Sequence, residues 1–88
     1  MAEVSLLEKV KIMLDITGQY QDEKIQGYID EVKQYLMDGG AKQEIVDAPT
    51  SVGTIARGVS DLYFDGAFSP YFKERAIQLS LKEVNKDV

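Results

Sequence analysis

The chain contains no cysteine and no histidine. Their absence removes disulfides, thiol nucleophiles, the most versatile metal ligand and the commonest general base. It also makes the chain indifferent to redox compartment. No apolar run approaches the ~18 residues that a membrane span needs. Met1-Ala2-Glu3-Val4-Ser5 lacks the basic and apolar blocks of a signal peptide, so the cytoplasm is the expected compartment. Nor do the bases cluster anywhere. Net charge is −5, with fifteen acids against ten bases. Affinity for phosphates comes mainly from counterion release by clustered bases, which makes nucleic acid a poor partner.

What remains is a chain of 88 residues, 44% of them hydrophobic, which speaks against disorder. The length fits a single domain over residues 1–88 that buries about 60–65% of its unfolded surface. A core so small leaves a thin stability margin. Without disulfides or a structural metal, oligomerisation is the remaining remedy.

Hydrophobic periodicity predicts helices throughout. Ser5-Leu6-Leu7-Glu8 fits a capping box and opens a first helix, with Leu6, Leu7, Val10, Met13 and Leu14 as its buried stripe. Asp15-Ile16-Thr17-Gly18 ends it. A second helix runs from about Asp22 to Asp38, apolar at Ile25, Tyr28, Ile29, Val32 and Leu36 and polar opposite, and Gly39-Gly40 stops it. Residues 41–48 suit a short helical turn around Ile45 and Val46. Ala48-Pro49 then forces an extended step, after which Thr50 or Ser51 caps a third main helix over about 51–64. Its stripe is Val52, Ile55, Ala56, Val59, Leu62 and Tyr63. Gly58 lies inside it, at roughly 1 kcal/mol relative to alanine, either as a tolerated flaw or as a point of close helix approach. Ser69-Pro70 opens a fourth helix as capping hydroxyl and first-turn proline, continuing through Ala76, Ile77, Leu79, Leu81 and Val84, with Lys82 and Lys86 complementing its dipole. Nothing alternates with period two, so the expected fold is all-α: a small bundle of about four helices plus a short linker helix or turn. Leu7, Val10, Leu14, Ile25, Ile29, Val32, Leu36, Ile55, Val59 and Leu62 are its expected core.

Chemistry-bearing patterns are few. Asp22-Glu23 and Asp30-Glu31 are adjacent in a helix, and neighbouring side chains point about 100° apart, so neither pair can share one catalytic site. Asp15-Ile16-Thr17-Gly18-Gln19-Tyr20 lacks the alternating oxygen ligands of a calcium loop. Gly39-Gly40-Ala41-Lys42 lacks half of a phosphate-binding loop. Thr54-Ile55-Ala56-Arg57-Gly58-Val59-Ser60 echoes helix-turn-helix DNA readers, but only Arg57 separates Ala56 from Gly58 where that motif needs three residues. Catalytic residues, cofactor and metal are therefore not expected, nor is membrane or sequence-specific nucleic-acid binding. Arg57 and Asp61, four apart, suit a surface pair of about 0.3–0.5 kcal/mol. That pair would matter more if buried between subunits.

Five of the eight aromatic residues, Tyr63, Phe64, Phe68, Tyr71 and Phe72, fall where Gly66 and Pro70 interrupt the helical pattern. A domain this small hides only part of such a cluster. These five, with Arg57 and Asp61, are the expected contact surface, the competing reading being that all five aromatics complete the monomer's own core.

Three stretches together resemble the small head-tail connector (adaptor) proteins of tailed bacteriophages and prophages, the head-completion family that assembles beneath the portal. They are Leu7-Glu8-Lys9-Val10-Lys11-Ile12-Met13-Leu14-Asp15-Ile16, the Asp22 to Leu36 segment with Tyr-Ile-Asp-Glu-Val-Lys-Gln-Tyr-Leu, and Ile55-Ala56-Arg57-Gly58-Val59-Ser60-Asp61-Leu62-Tyr63 followed by Ser69-Pro70-Tyr71-Phe72. The resemblance implies a non-enzymatic virion part, assembled in the bacterial host cytoplasm. Its subunits would form a homo-oligomeric ring on the phage portal protein, extend the DNA channel and receive later head-completion or tail proteins. The alternative is a small dimeric helical interaction module or regulator, and assembly state separates the two.

Overall fold

The computed structural model describes residues 5–81. They form α1 (Leu6–Met13), α2 (Asp22–Asp38), α3 (Gln43–Val46), a 3-10 turn (Pro49–Ser51), α4 (Val52–Ser60), a π-helical turn (Asp61–Asp65) and α5 (Pro70–Ser80). No strand occurs among the described residues. The fold is all-α, and Val84, Lys82 and Lys86 of the expected last turns lie outside the described residues.

Capping chemistry sets most boundaries. Ser5 Oγ accepts from the Glu8 N–H at 3.1 Å, and Ser69 Oγ accepts from the Phe72 N–H at 3.2 Å ahead of Pro70 at the first helical position. α2 spans the residues expected for it and closes where Gly40 takes φ of 111°. The third helix differs from its expected form. Ser51 does not cap it, because its hydroxyl donates to the Ile45 carbonyl and ties the 3-10 turn back to α3. Past Ser60 the helix widens into the π turn, which Gly66 closes at φ of 76°.

α4 is the centre of the packing, touching α1, α2 and α5. Val10, Ile25, Ile29, Val32, Leu36, Ile55 and Val59 are buried as expected, while Leu7, Leu14 and Leu62 are partly buried against them. One stripe assignment, that of Met13, is overturned, and Ile77 and Leu81 at the end of α5 also face solvent. Met13, Ile77 and Leu81 are 57%, 61% and 74% exposed. On α1 Lys11 is buried beside Val10, its Nζ held by the Gly18 carbonyl and, at 2.6 Å, by Asp22. That clamp binds the end of α1 and the loop after it to the first turn of α2.

Ile29 and Val59 are fully buried on facing helices. Replacing either with alanine is expected to cost about 1–4 kcal/mol, read by chemical denaturation. A loss below about 0.5 kcal/mol at both sites would contradict this core.

Candidate functional site

The seven residues expected at a contact surface divide into three groups. Phe72 is fully buried and Asp61 is 3% exposed, so both belong to the interior of the chain and neither can meet a partner in this fold. Phe72 fills the space between α2 and α4. A Cβ at Gly58 would stand 2.7 Å from the Phe72 ring and 3.0 Å from a Val32 methyl, so the glycine in α4 is a close-approach position.

Asp61 is not the surface partner of Arg57 that its spacing suggested. Its Oδ2 accepts from Ser69 N–H at 3.0 Å and from Ser69 Oγ–H at 2.7 Å, while Oδ1 lies 3.3 Å from Arg57 Nε. The carboxylate thereby fixes the corner between the π turn and α5, and the ring of Phe72 depends on that corner for its position.

The second group, Phe68 and Tyr63, is partly buried. Phe68 stacks on Phe72 with centroids 4.5 Å apart and meets Tyr35 at 4.7 Å. Tyr63 donates to Gln21 Oε1 at 2.7 Å, meets Tyr28 edge-on at 6.4 Å and lies under Lys24. Both therefore complete the core more than they offer a surface. Tyr35 is a member of the aromatic cluster that the focus on residues 63–72 missed. Its spacing of three from Val32 was the available signal.

Phe64, Tyr71 and Arg57 form the third group, 64%, 51% and half exposed. They line an open groove of about 520 Å³ that runs over α4 between the end of α1 and the start of α5. Met13 and Arg75, neither of them expected here, complete its walls, and Gly53 lies along its floor. Tyr71 has two cations beside it: the guanidinium carbons of Arg57 and Arg75 are 5.2 and 5.9 Å from its ring centroid, and Arg75 donates to the Tyr71 hydroxyl at 3.0 Å. The two cations hold the ring through its negative face, which fixes an aromatic anchor without burying it. Exposed aromatics, methionine and arginine are the residue types enriched in protein interfaces.

Among the described residues no three carboxylates gather as metal ligands would, and no helix is long and apolar enough to cross a membrane. The groove's side chains can grip another protein surface through apolar and cationic contacts. No protein-family model, curated protein or solved structure matches this chain.

Proposed function

We propose that this protein is a structural virion subunit, a head-tail connector that assembles as a ring beneath the portal and joins the DNA-filled head to the tail. The reading rests on the ordered likeness of its three sequence stretches to that family. The groove supports it: Phe64 and Tyr71 are large aromatics left in solvent side by side with the exposed Met13 along one concave surface, which fits a surface completed by another subunit. Its partners are further copies of itself, the portal protein and later head-completion or tail proteins. No catalytic role, sequence-specific DNA binding or cofactor belongs to it. An acidic ring would repel DNA passing through its lumen instead of gripping it.

Phe64 is the sharpest probe, because it is 64% exposed and its aromatic contact is with Tyr63, its own neighbour in the chain. Phe64→Ser is expected to leave the helical circular dichroism of the free chain nearly unchanged and to lower both assembly onto portal-bearing heads and the yield of infectious particles. Unchanged assembly and yield would remove Phe64 from the interface. Mass measurement with and without the portal protein of the encoding phage tests the ring itself. A two-fold dimer under both conditions would replace the connector reading with a helical interaction module.

A further inference from the structure

A head-to-tail ring needs two unlike faces on each subunit, and the groove offers a candidate for one of them. Its place on α4 is set by helix geometry. Gly53, Arg57 and Ser60 lie roughly 140–200° around the helix from Ile55. Ile55 is buried, and the Gly58 flank is pressed by Val32 of α2. The groove therefore opens away from α2.

α2 has an antipode of its own. Ile25, Ile29, Val32 and Leu36 face the core, and Gly27 lies roughly 140–200° from all of them, at the middle of the outward surface. Around it stand Glu23, Asp30, Glu31 and Gln34, all exposed, with Lys24 as the one exposed base of that helix. The Gln26 amide donates to Asp30 at 3.0 Å and so fixes the direction of one carboxylate.

Gly27 has no explanation within the monomer. It sits in the interior of a 17-residue helix, has ordinary helical φ, and a Cβ there would meet nothing within 4 Å. Glycine at such a position weakens a helix, and alanine would fit freely. Gly53, on the floor of the groove, is likewise surrounded by open space. Both glycines leave bare helix backbone on the outside of the chain, where another chain can approach closely.

We infer that the groove receives the outward face of α2 from a second copy of this chain, Gly27 of one copy approaching Gly53 of the next while Asp30 and Glu31 meet Arg75 and the exposed side of Arg57. Phe64 and Tyr71 close over the bare strip that Gly27 leaves. The pairing matches a cationic, aromatic groove with an acidic helix face in a chain whose net charge is −5. Donor and acceptor faces point to opposite sides of the subunit, so repetition propagates head to tail. The inference rests on the connector reading for its ring geometry, while the pairing of faces can be tested separately.

Gly27→Gln places a good helix former on an exposed site. The free chain is expected to melt at the same temperature or higher, while assembly, followed by sedimentation of the purified chain with and without portal protein, weakens about tenfold or more. Arg75→Glu and the pair Asp30→Lys with Glu31→Lys should each block assembly alone. Mixing the two altered chains should restore it, since each then offers what the other lacks. If the unaltered chain assembles and Gly27→Gln and Arg75→Glu assemble equally well, or if mixing restores nothing, the pairing is wrong while the ring stands. A dimer blocked by these same changes keeps the pairing and overturns the ring. A chain that stays monomeric even on portal overturns both.

Discussion

Asp61→Ala is expected to lower the stability of the chain by about 1.5–3 kcal/mol, the range for losing hydrogen bonds to a charged group and leaving their donor unsatisfied. For a domain of this size that is a fall in melting temperature of roughly 6–24 °C. The carboxylate satisfies the Ser69 N–H and hydroxyl at once, with Arg57 on its other oxygen. Ser69 in turn caps α5 at the Phe72 N–H. Removing Asp61 thus strands a part-buried N–H and loosens the cap that aims Phe72 into the core. Ser69→Ala alone should cost about 1 kcal/mol as a lost cap, and the double replacement less than the sum, because both act on one network. Arg57→Ala should cost much less than Asp61→Ala, since its side chain is half exposed. Urea denaturation of these variants decides the matter. A loss below about 1 kcal/mol for Asp61→Ala would mean that the corner holds without its carboxylate.

The second large effect concerns the contact of Phe72 with Gly58. Phe72→Ala empties a fully buried aromatic site and should cost about 3–5 kcal/mol. Gly58→Ala should be destabilising by about 1–3 kcal/mol, although alanine is the better helix former, because its methyl would stand 2.7 Å from the ring. Phe68 stacked on the ring's outer side and Val32 beside the methyl leave little room to yield. In the Phe72→Ala background the sign should reverse. The methyl then enters vacated space, and helix propensity favours it by up to about 1 kcal/mol. Four denaturation curves complete this cycle. Destabilisation by Gly58→Ala in both backgrounds would show that the ring is not what excludes a side chain there.

Local rules carry much of this fold. The hydroxyls of Ser5 and Ser69, the glycines after α2 and the uniform three-four spacing in α2 act over a few residues, so their consequences can be read from the residues themselves. Contacts between segments could not be read in the same way. Gly58 admitted two explanations until Phe72 and Val32 were seen to meet it. Asp61 has the spacing of a surface partner for Arg57, and only the turn at Gly66, which brings Ser69 back to it, makes it an interior group. Lys11 is buried for a similar reason: the Gly18 carbonyl and Asp22 that hold its ammonium lie beyond the helix that carries it. The groove was half legible. Arg57, Phe64 and Tyr71 were expected at a surface, but Met13 and Arg75 join them only through the packing of α1 and α5 on α4.

Lys11 has a further consequence for a chain without cysteine. A cystine joining α1 to α2 would restrict the unfolded chain and stabilise largely by lowering its entropy. The clamp of Lys11 on the Gly18 carbonyl and Asp22 exists only once the chain has folded. It leaves the unfolded ensemble as broad as before and acts entirely on the folded side. To the extent that it forms after the folding barrier, its influence appears as slower opening of the corner between the two helices and not as faster folding. A chain stapled in this way resists opening kinetically, yet needs no oxidant to set the staple and no isomerase to correct it.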